Sequence, residues 1–231
     1  MTKIAKRLQA VDKNIDRETK VSISDAINLV KENATAKFDE TIEVAFRLNL
    51  DPRKAEQNLR GMLSLPNGNG KSVRVAVFAR GEIAEEAEVA GADIVGAEDL
   101  ANKIKQGEID FQRCIASPDM MPIVGALGKI LGPKGLMPNP KLGTVTPNVG
   151  KAVAVAKAGQ IEYRVEKAGI IHCGIGKASF VADKLLENLN ALYKELLRVK
   201  PAEVKGRYLK GLTISSTMGR GIRVDIASLN Q

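Results

Sequence analysis

Thr41-Ile-Glu-Val-Ala-Phe-Arg-Leu-Asn-Leu50 alternates strictly, with Ile42, Val44, Phe46, Leu48 and Leu50 on one side and Thr41, Glu43, Ala45, Arg47 and Asn49 on the other. Successive side chains of a strand point to opposite faces, so this stretch predicts a strand with one face in a core and the other toward water or a partner. The same grammar returns only at Gln160. There Ile161, Tyr163 and Val165 alternate with Glu162, Arg164 and Glu166, and Lys167-Ala-Gly turns the chain into Ile171, Cys173 and Ile175. Between the two, Asp51-Pro52 reads as cap and first residue of a helix over 52–64, with Ala55, Leu59 and Leu63 as its buried stripe. Ser22 with Asp25 resembles a capping box opening an earlier helix, and Ser179 is expected to cap a long one carrying Val181, Leu185, Leu189, Leu192 and Leu196 on one face. Joined across the gap, the order is β (41–50), α (52–64), β (160–167), β (170–176), α (179–197), β (209–226). This is the split βαβ arrangement, an antiparallel sheet with both helices on one face.

Pro66-Asn-Gly-Asn-Gly-Lys71 is the strongest linker signal in the chain. Beyond it, short apolar strands near 73–79, 93–95 and 111–116 alternate with helices over 82–91, 97–106 and 119–131, and Thr146-Pro147 starts one more through Lys157. Such alternation predicts a small parallel sheet covered on both faces. The expected fold is therefore α/β (α+β) in two domains. A discontinuous split βαβ antiparallel-sheet domain, 1–68 plus 159–231, holds an inserted Rossmann-like parallel α/β domain, 69–158.

Among 231 residues, 35 are Lys or Arg and 27 Asp or Glu, for a net charge of +8. The flanking segments hold 24 basic against 17 acidic side chains, the insert 11 against 10. A basic excess attracts polyanions such as nucleic acid, although a basic surface kept for solubility gives the same balance. Aromatics are 3% with no Trp, a poor supply for a base-stacking platform. Two cysteines make no secreted disulfide framework. No apolar run approaches the ~20 residues of a membrane span. Met1–Leu8 lacks the apolar stretch of a signal peptide, and Asp12 and Asp16 argue against a transit peptide. A soluble cytoplasmic protein without membrane contact is expected.

Catalytic readings fail on inventory. His172 is the only histidine, which rules out a histidine-pair metal site, and Cys114 and Cys173 fall in different predicted domains. As strand neighbours, His172 and Cys173 point to opposite faces and form no nucleophile–base pair. Leu65–Ser72 ends in Gly-Lys-Ser but follows a helix and lacks the first Gly of a phosphate loop. Gly174-Ile-Gly-Lys-Ala178 also departs from that motif, though Gly176, Lys177 and a following helix N-terminus suit a single phosphate. In the insert, the turn Ala79-Arg-Gly-Glu and the acids Glu82, Glu85, Glu86 and Glu88 disfavour a dinucleotide. The expectation is a non-enzyme with no cofactor. A nucleotide-dependent enzyme built on the insert and a charge-driven assembly protein are the rival readings.

Two surfaces remain. The uncovered sheet face would present Thr41, Glu43, Arg47, Arg164, His172, Thr213, Ser215 and Thr217, hydroxyls among charges that suit sugar 2′-hydroxyls and phosphates. An ordinary hydrated sheet face fits the same pattern. Residues 120–161 carry five Lys and no acid, and the Gly- and Pro-rich stretch 125–144 makes a cationic loop around Lys129, Lys134 and Lys141.

Leu131-Gly-Pro-Lys-Gly-Leu-Met-Pro-Asn-Pro-Lys-Leu-Gly-Thr144 closely resembles the signature of the bacterial ribosomal protein L1 family. So do Lys37-Phe-Asp-Glu-Thr-Ile-Glu43, Asp51-Pro-Arg53, Gln57-Asn-Leu-Arg-Gly61, Gly174-Ile-Gly-Lys-Ala-Ser-Phe180 and Ser216-Thr-Met-Gly219, in the family's order along the whole chain. The resemblance implies a constituent of the large ribosomal subunit that binds 23S rRNA at a helical junction, chiefly through the discontinuous domain, and forms the mobile stalk at the exit site. It further implies help in releasing deacylated exit-site tRNA, translational repression through its own mRNA, and a monomer when free. Carried over by motif, the RNA cluster is Lys37, Phe38, Thr41 and Glu43 with Ser216, Thr217, Met218 and Gly219. His172, Lys177 and Arg220 are expected beside it, and Lys129, Lys134 and Lys141 form a secondary basic loop. The family usually has Pro after Met-Gly. Here Arg220 exchanges a stiff turn for a cation.

Overall fold

The computed structural model describes Gln9, Val11 and residues 19–230. Met1–Leu8, Asp12 and Asp16, used above against a leader peptide, lie outside the described residues. Two compact units emerge, one reaching Gly70 and resuming at Ile161, the other Lys71–Gln160. Both crossings fall two residues beyond the expected boundaries. The chain runs α1 (Ile23–Glu32), β1 (Thr41–Leu48), β2 (Arg60–Ser64), β3 (Val75–Phe78), α2 (Glu82–Val89), β4 (Ile94–Gly96), α3 (Glu98–Lys105) and β5 (Arg113–Ala116). It continues through α4 (Met121–Ala126), α5 (Gly128–Leu131), α6 (Val149–Lys157), β6 (Gln160–Arg164), β7 (Ile170–Lys177), α7 (Ala182–Arg198), β8 (Leu209–Ser216) and β9 (Ile222–Val224).

In the discontinuous unit, β7-β1-β8-β9 form an antiparallel sheet with β1 second in line. The period-two reading of β1 holds through Leu48: Ile42, Val44, Phe46 and Leu48 are buried, whereas Glu43 and Arg47 are exposed, and the strand stops before Asn49 and Leu50, both half-buried. Both covering helices lie on the buried face, α1 through Ile23, Ala26, Ile27 and Val30, α7 through Leu185, Leu189, Leu192 and Leu196. Each such Ile, Val or Leu side chain is worth ~1.5–3 kcal/mol of burial. Ser22 caps α1, its hydroxyl accepting the Asp25 N–H at 3.2 Å.

Several expectations need correction. No helix occupies 52–64: Ala55–Gln57 makes one 3-10 turn and 60–64 is β2, which pairs with β6 as a separate two-stranded ribbon. The helix that joins α7 on the sheet is α1. Arg164 accordingly ends strand β6 of the ribbon and is not a residue of the four-stranded sheet, although it lines one hollow with His172. Ser179 does not cap α7, which begins at Ala182 and leaves Val181 exposed ahead of the helix. The Ser179 N–H and hydroxyl donate instead to the Asp39 carboxylate at 3.1 and 2.8 Å. The linker is also shorter than expected, because residues 67–68 are fastened to α7. The Asn67 N–H donates to Asn188 Oδ1 at 3.1 Å, and Asn188 Nδ2 donates to the Gly68 and Ile175 carbonyls at 2.9 and 2.7 Å.

The insert carries the parallel order β4-β3-β5. Val75 and Val77 pack toward α2 and α6, and Ala76 and Phe78 toward Leu100, Ile104, Val124 and Leu127, so both sheet faces are covered as expected. The predicted helix over 119–131 is broken into a 3-10 turn and the two short helices α4 and α5. Asn148, not Thr146, caps α6. Around the 3-10 turn Pro140–Leu142, the Asn139 N–H donates to Thr144 Oγ1 at 2.8 Å and the Lys141 N–H to Asn139 Oδ1 at 2.9 Å.

Candidate nucleic-acid interface

Opposite α1 and α7 the sheet presents rows of side chains read straight from its register. One row is Ser215, Glu43 and Gly174; the next is Arg223, Thr213, Ala45 and His172. At the end of β1, Thr41 lies opposite Lys177. A β-bulge puts it there. Ile42 pairs with Gly176 but Glu43 with Gly174, so Ile175 is an extra residue in β7. One extra residue inverts the alternation beyond it. Lys177 thereby reaches the open face, where its Nζ donates to Thr41 Oγ1 at 3.1 Å and to the Asp39 carbonyl at 3.3 Å. Since α7 starts five residues later, the helix-terminus phosphate site expected at Gly176 and Lys177 does not form.

The loops before β1 and after β8 meet at this corner. Glu40, 1% exposed, accepts the Ala36 N–H at 2.9 Å and the Met218 N–H at 2.9 Å, one carboxylate oxygen for each loop. Thr217 adds a second clasp: its Oγ1 accepts the Thr41 N–H at 2.9 Å and its own N–H donates to the Thr41 carbonyl at 3.0 Å. Phe38 and Met218 project from the two loops at 55% and 53% exposure. Lys37 is exposed beside Phe38. Arg220 follows the turn half-buried. The restraint that Pro would supply here is exercised by Glu40 and Thr217.

Ser216 departs from the expected cluster. It pairs with Ile42 on the core side of the sheet, is 4% exposed, and its Oγ has no hydrogen-bond partner among the described residues. Gly219 lies directly over it, closed by Gly219 N–H to the Ser216 carbonyl at 3.0 Å. A Cβ on Gly219 would overlap Ser216 Oγ. Ser216 is therefore the seat of the turn and not part of its outer surface. Gly219→Ala is expected to displace the turn and weaken RNA binding about tenfold. Ser216→Ala in the same chain restores most of it, because the new methyl then meets the residue 216 Cβ and backbone N at 3.4 and 3.5 Å, ordinary van der Waals contact. Filter binding of both variants checks this.

Elsewhere the predicted residues scatter. His172 is on the open face, but in the Ala45 row, with Nε2 3.7 Å from Glu166 Oε2. Lys129, Lys134 and Lys141 are exposed on the other unit. Burial pushes both thiols, Cys114 and Cys173, up to about 12, so neither supplies a thiolate at neutral pH. Leu65–Ser72 opens no helix. Sequence reasoning missed Glu40 and Asp39. Both occur inside the quoted Lys37–Glu43 motif, but neither periodicity nor spacing separates an anchoring acid from a solvated one.

A sheet face of hydroxyls and cations with two projecting apolar side chains beside it, on a unit built from both flanks of the chain, has the chemistry to contact nucleic acid, and the construction is α/β in two units. A model of the Ribosomal protein L1p/L10e family matches residues 30–220, and the chain belongs to that family. It is a structural, non-enzymatic family of ribosome-associated proteins that bind rRNA. No described helix is long and apolar enough to cross a membrane.

Proposed function

We propose that the discontinuous unit carries the rRNA binding and that the corner built by Lys37, Phe38, Thr41, Glu43 and the 217–219 turn is where it grips a folded site in 23S rRNA. The observation that carries this reading is the Glu40 brace, which fixes two loops bearing exposed apolar side chains beside a strand end. A preformed surface of this kind recognises RNA by shape: Phe38 and Met218 pack on sugars, and Glu43, flanked by Gly174 without a side chain, accepts from 2′-hydroxyls. Lys37, His172, Lys177 and Arg220 supply the cationic margin, and Lys129, Lys134 and Lys141 a secondary contact from the insert.

On this reading the protein forms the mobile stalk at the exit site of the large subunit, assists release of deacylated tRNA, and represses its own mRNA by offering the same corner to a second RNA. It works in the cytoplasm and is a monomer when free. Each unit has its own core, so residues 71–159 can be exchanged for a short linker, with Gly70 kept because it packs on Lys177 and Phe180. The shortened protein is expected to keep rRNA affinity within about tenfold of the full chain. The leader of its own mRNA should compete with rRNA for it. A loss of a thousandfold places the main RNA site on the insert, and failure of the leader RNA to compete removes the repressor role.

A further inference from the structure

The open face has a concave feature at the end of β1 opposite the corner. Lys20, Arg47, Lys210 and Arg223 line a hollow of about 380 Å³, with Thr213 among them and the small residues Ala45 and Gly211 leaving the sheet backbone open. Four cations and no carboxylate line it. None of the four cationic side chains makes an ion pair or hydrogen bond among the described residues. Gathering like charges around one depression raises the energy of the free protein, which a bound polyanion offsets.

A second β-bulge builds this feature. Arg47 pairs with Gly211 but Leu48 with Leu209, so Lys210 is the extra residue in β8. Regular alternation from Thr213 and Gly211 would send Leu209 to the open face and Lys210 into the core. With the bulge, Leu209 is buried and Lys210 stands exposed beside Arg47. The irregularity therefore adds a cation to a place that already has several.

We infer that this hollow is a second RNA contact, seating phosphodiester groups of a stretch of backbone that the Phe38–Met218 corner does not hold. The inference rests on the reading that the open face binds RNA. Six residues of strand separate Thr41 from Arg47, about 20 Å at ~3.3 Å each, too far for the two places to share a phosphate. Guanidinium forks and the Thr213 hydroxyl match phosphate oxygens, and a concave hollow between strands admits a chain of phosphates where a flat bilayer surface cannot enter.

The test uses the full chain and a large-subunit rRNA transcript, with affinity measured across a salt series. Each phosphate contact contributes roughly 0.7–0.9 to the slope of log K against log salt. Arg47→Gln, Lys210→Gln and Arg223→Gln combined should lower that slope by about 2. Arg47→Lys with Arg223→Lys should preserve it, and thermal melting confirms that each variant is folded. Gly219→Ala should weaken binding without changing the slope. If Gly219→Ala behaves so while the triple variant keeps the wild-type slope, the hollow is no RNA contact and the corner stands. If neither substitution alters binding, the open-face reading itself falls. Stabilisation of wild type by inorganic phosphate, lost in the triple variant while the salt slope stays unchanged, identifies a free-anion pocket and also overturns the inference.

Discussion

Glu40→Ala should weaken rRNA binding by about 2 kcal/mol, roughly thirtyfold, while the sheet itself stays folded. A buried carboxylate accepting two backbone N–H groups makes charge-assisted hydrogen bonds of ~1.5–3 kcal/mol each, part of which water entering the vacated space recovers. The remainder is spent re-ordering two loops, 36–40 and 217–219, whenever RNA binds. Glu40→Gln retains one acceptor oxygen and should fall between alanine and wild type. Isothermal titration against an rRNA fragment reads both, with far-ultraviolet circular dichroism as the fold control. Wild-type affinity in Glu40→Ala would show that the loops hold their shape without the brace.

Asn188→Leu should cost about 3 kcal/mol of stability and lower the melting temperature by roughly 10 °C. Asn188 is fully buried and satisfies the Gly68 carbonyl, the Ile175 carbonyl and the Asn67 N–H. Leucine fills the space but takes the partner from one buried and two half-buried backbone groups, worth ~1 kcal/mol each on average. For chains of this size, 1 kcal/mol moves the midpoint by ~2–4 °C. Asn188→Asp keeps the acceptor for Asn67, loses both donors and buries a charge, so it should be worse than leucine. A melting temperature within 2 °C of wild type for Asn188→Leu would mean that residues 67–68 are held by other contacts.

Period and sign of burial were legible wherever the chain obeys one period for several residues. Residues 41–48 and the leucines of α7 fall on the predicted faces, and the insert declares itself by its change of grammar at 66–71. Sequence reasoning misread 52–64 because Ala55, Leu59 and Leu63 satisfy a helical period by coincidence. In the fold, β2 lies against β6 so closely that a Cβ on Gly61 would enter the Tyr163 ring, and tertiary pairing overrides the local pattern. Bulges at Ile175 and Lys210 leave no trace in composition, yet each decides which way a lysine points. At the candidate site, Thr41, Glu43 and Thr217 came from alternation and motif together. Glu40 and the buried seat at Ser216 required the third dimension, since an acid before a strand and a serine at a strand end are ordinary on paper.

Strand β1, made early in synthesis, finds its strand partners in 169–177 and 209–217 among the described residues. A polypeptide still on its ribosome, or one cut short by a damaged message, has the first half of the corner and nothing to close it. The corner is therefore complete only in a chain that has been made past the 217–219 turn and released. On the proposed reading, products that stop before residue 217 lack the assembled corner and compete poorly with finished molecules for its RNA.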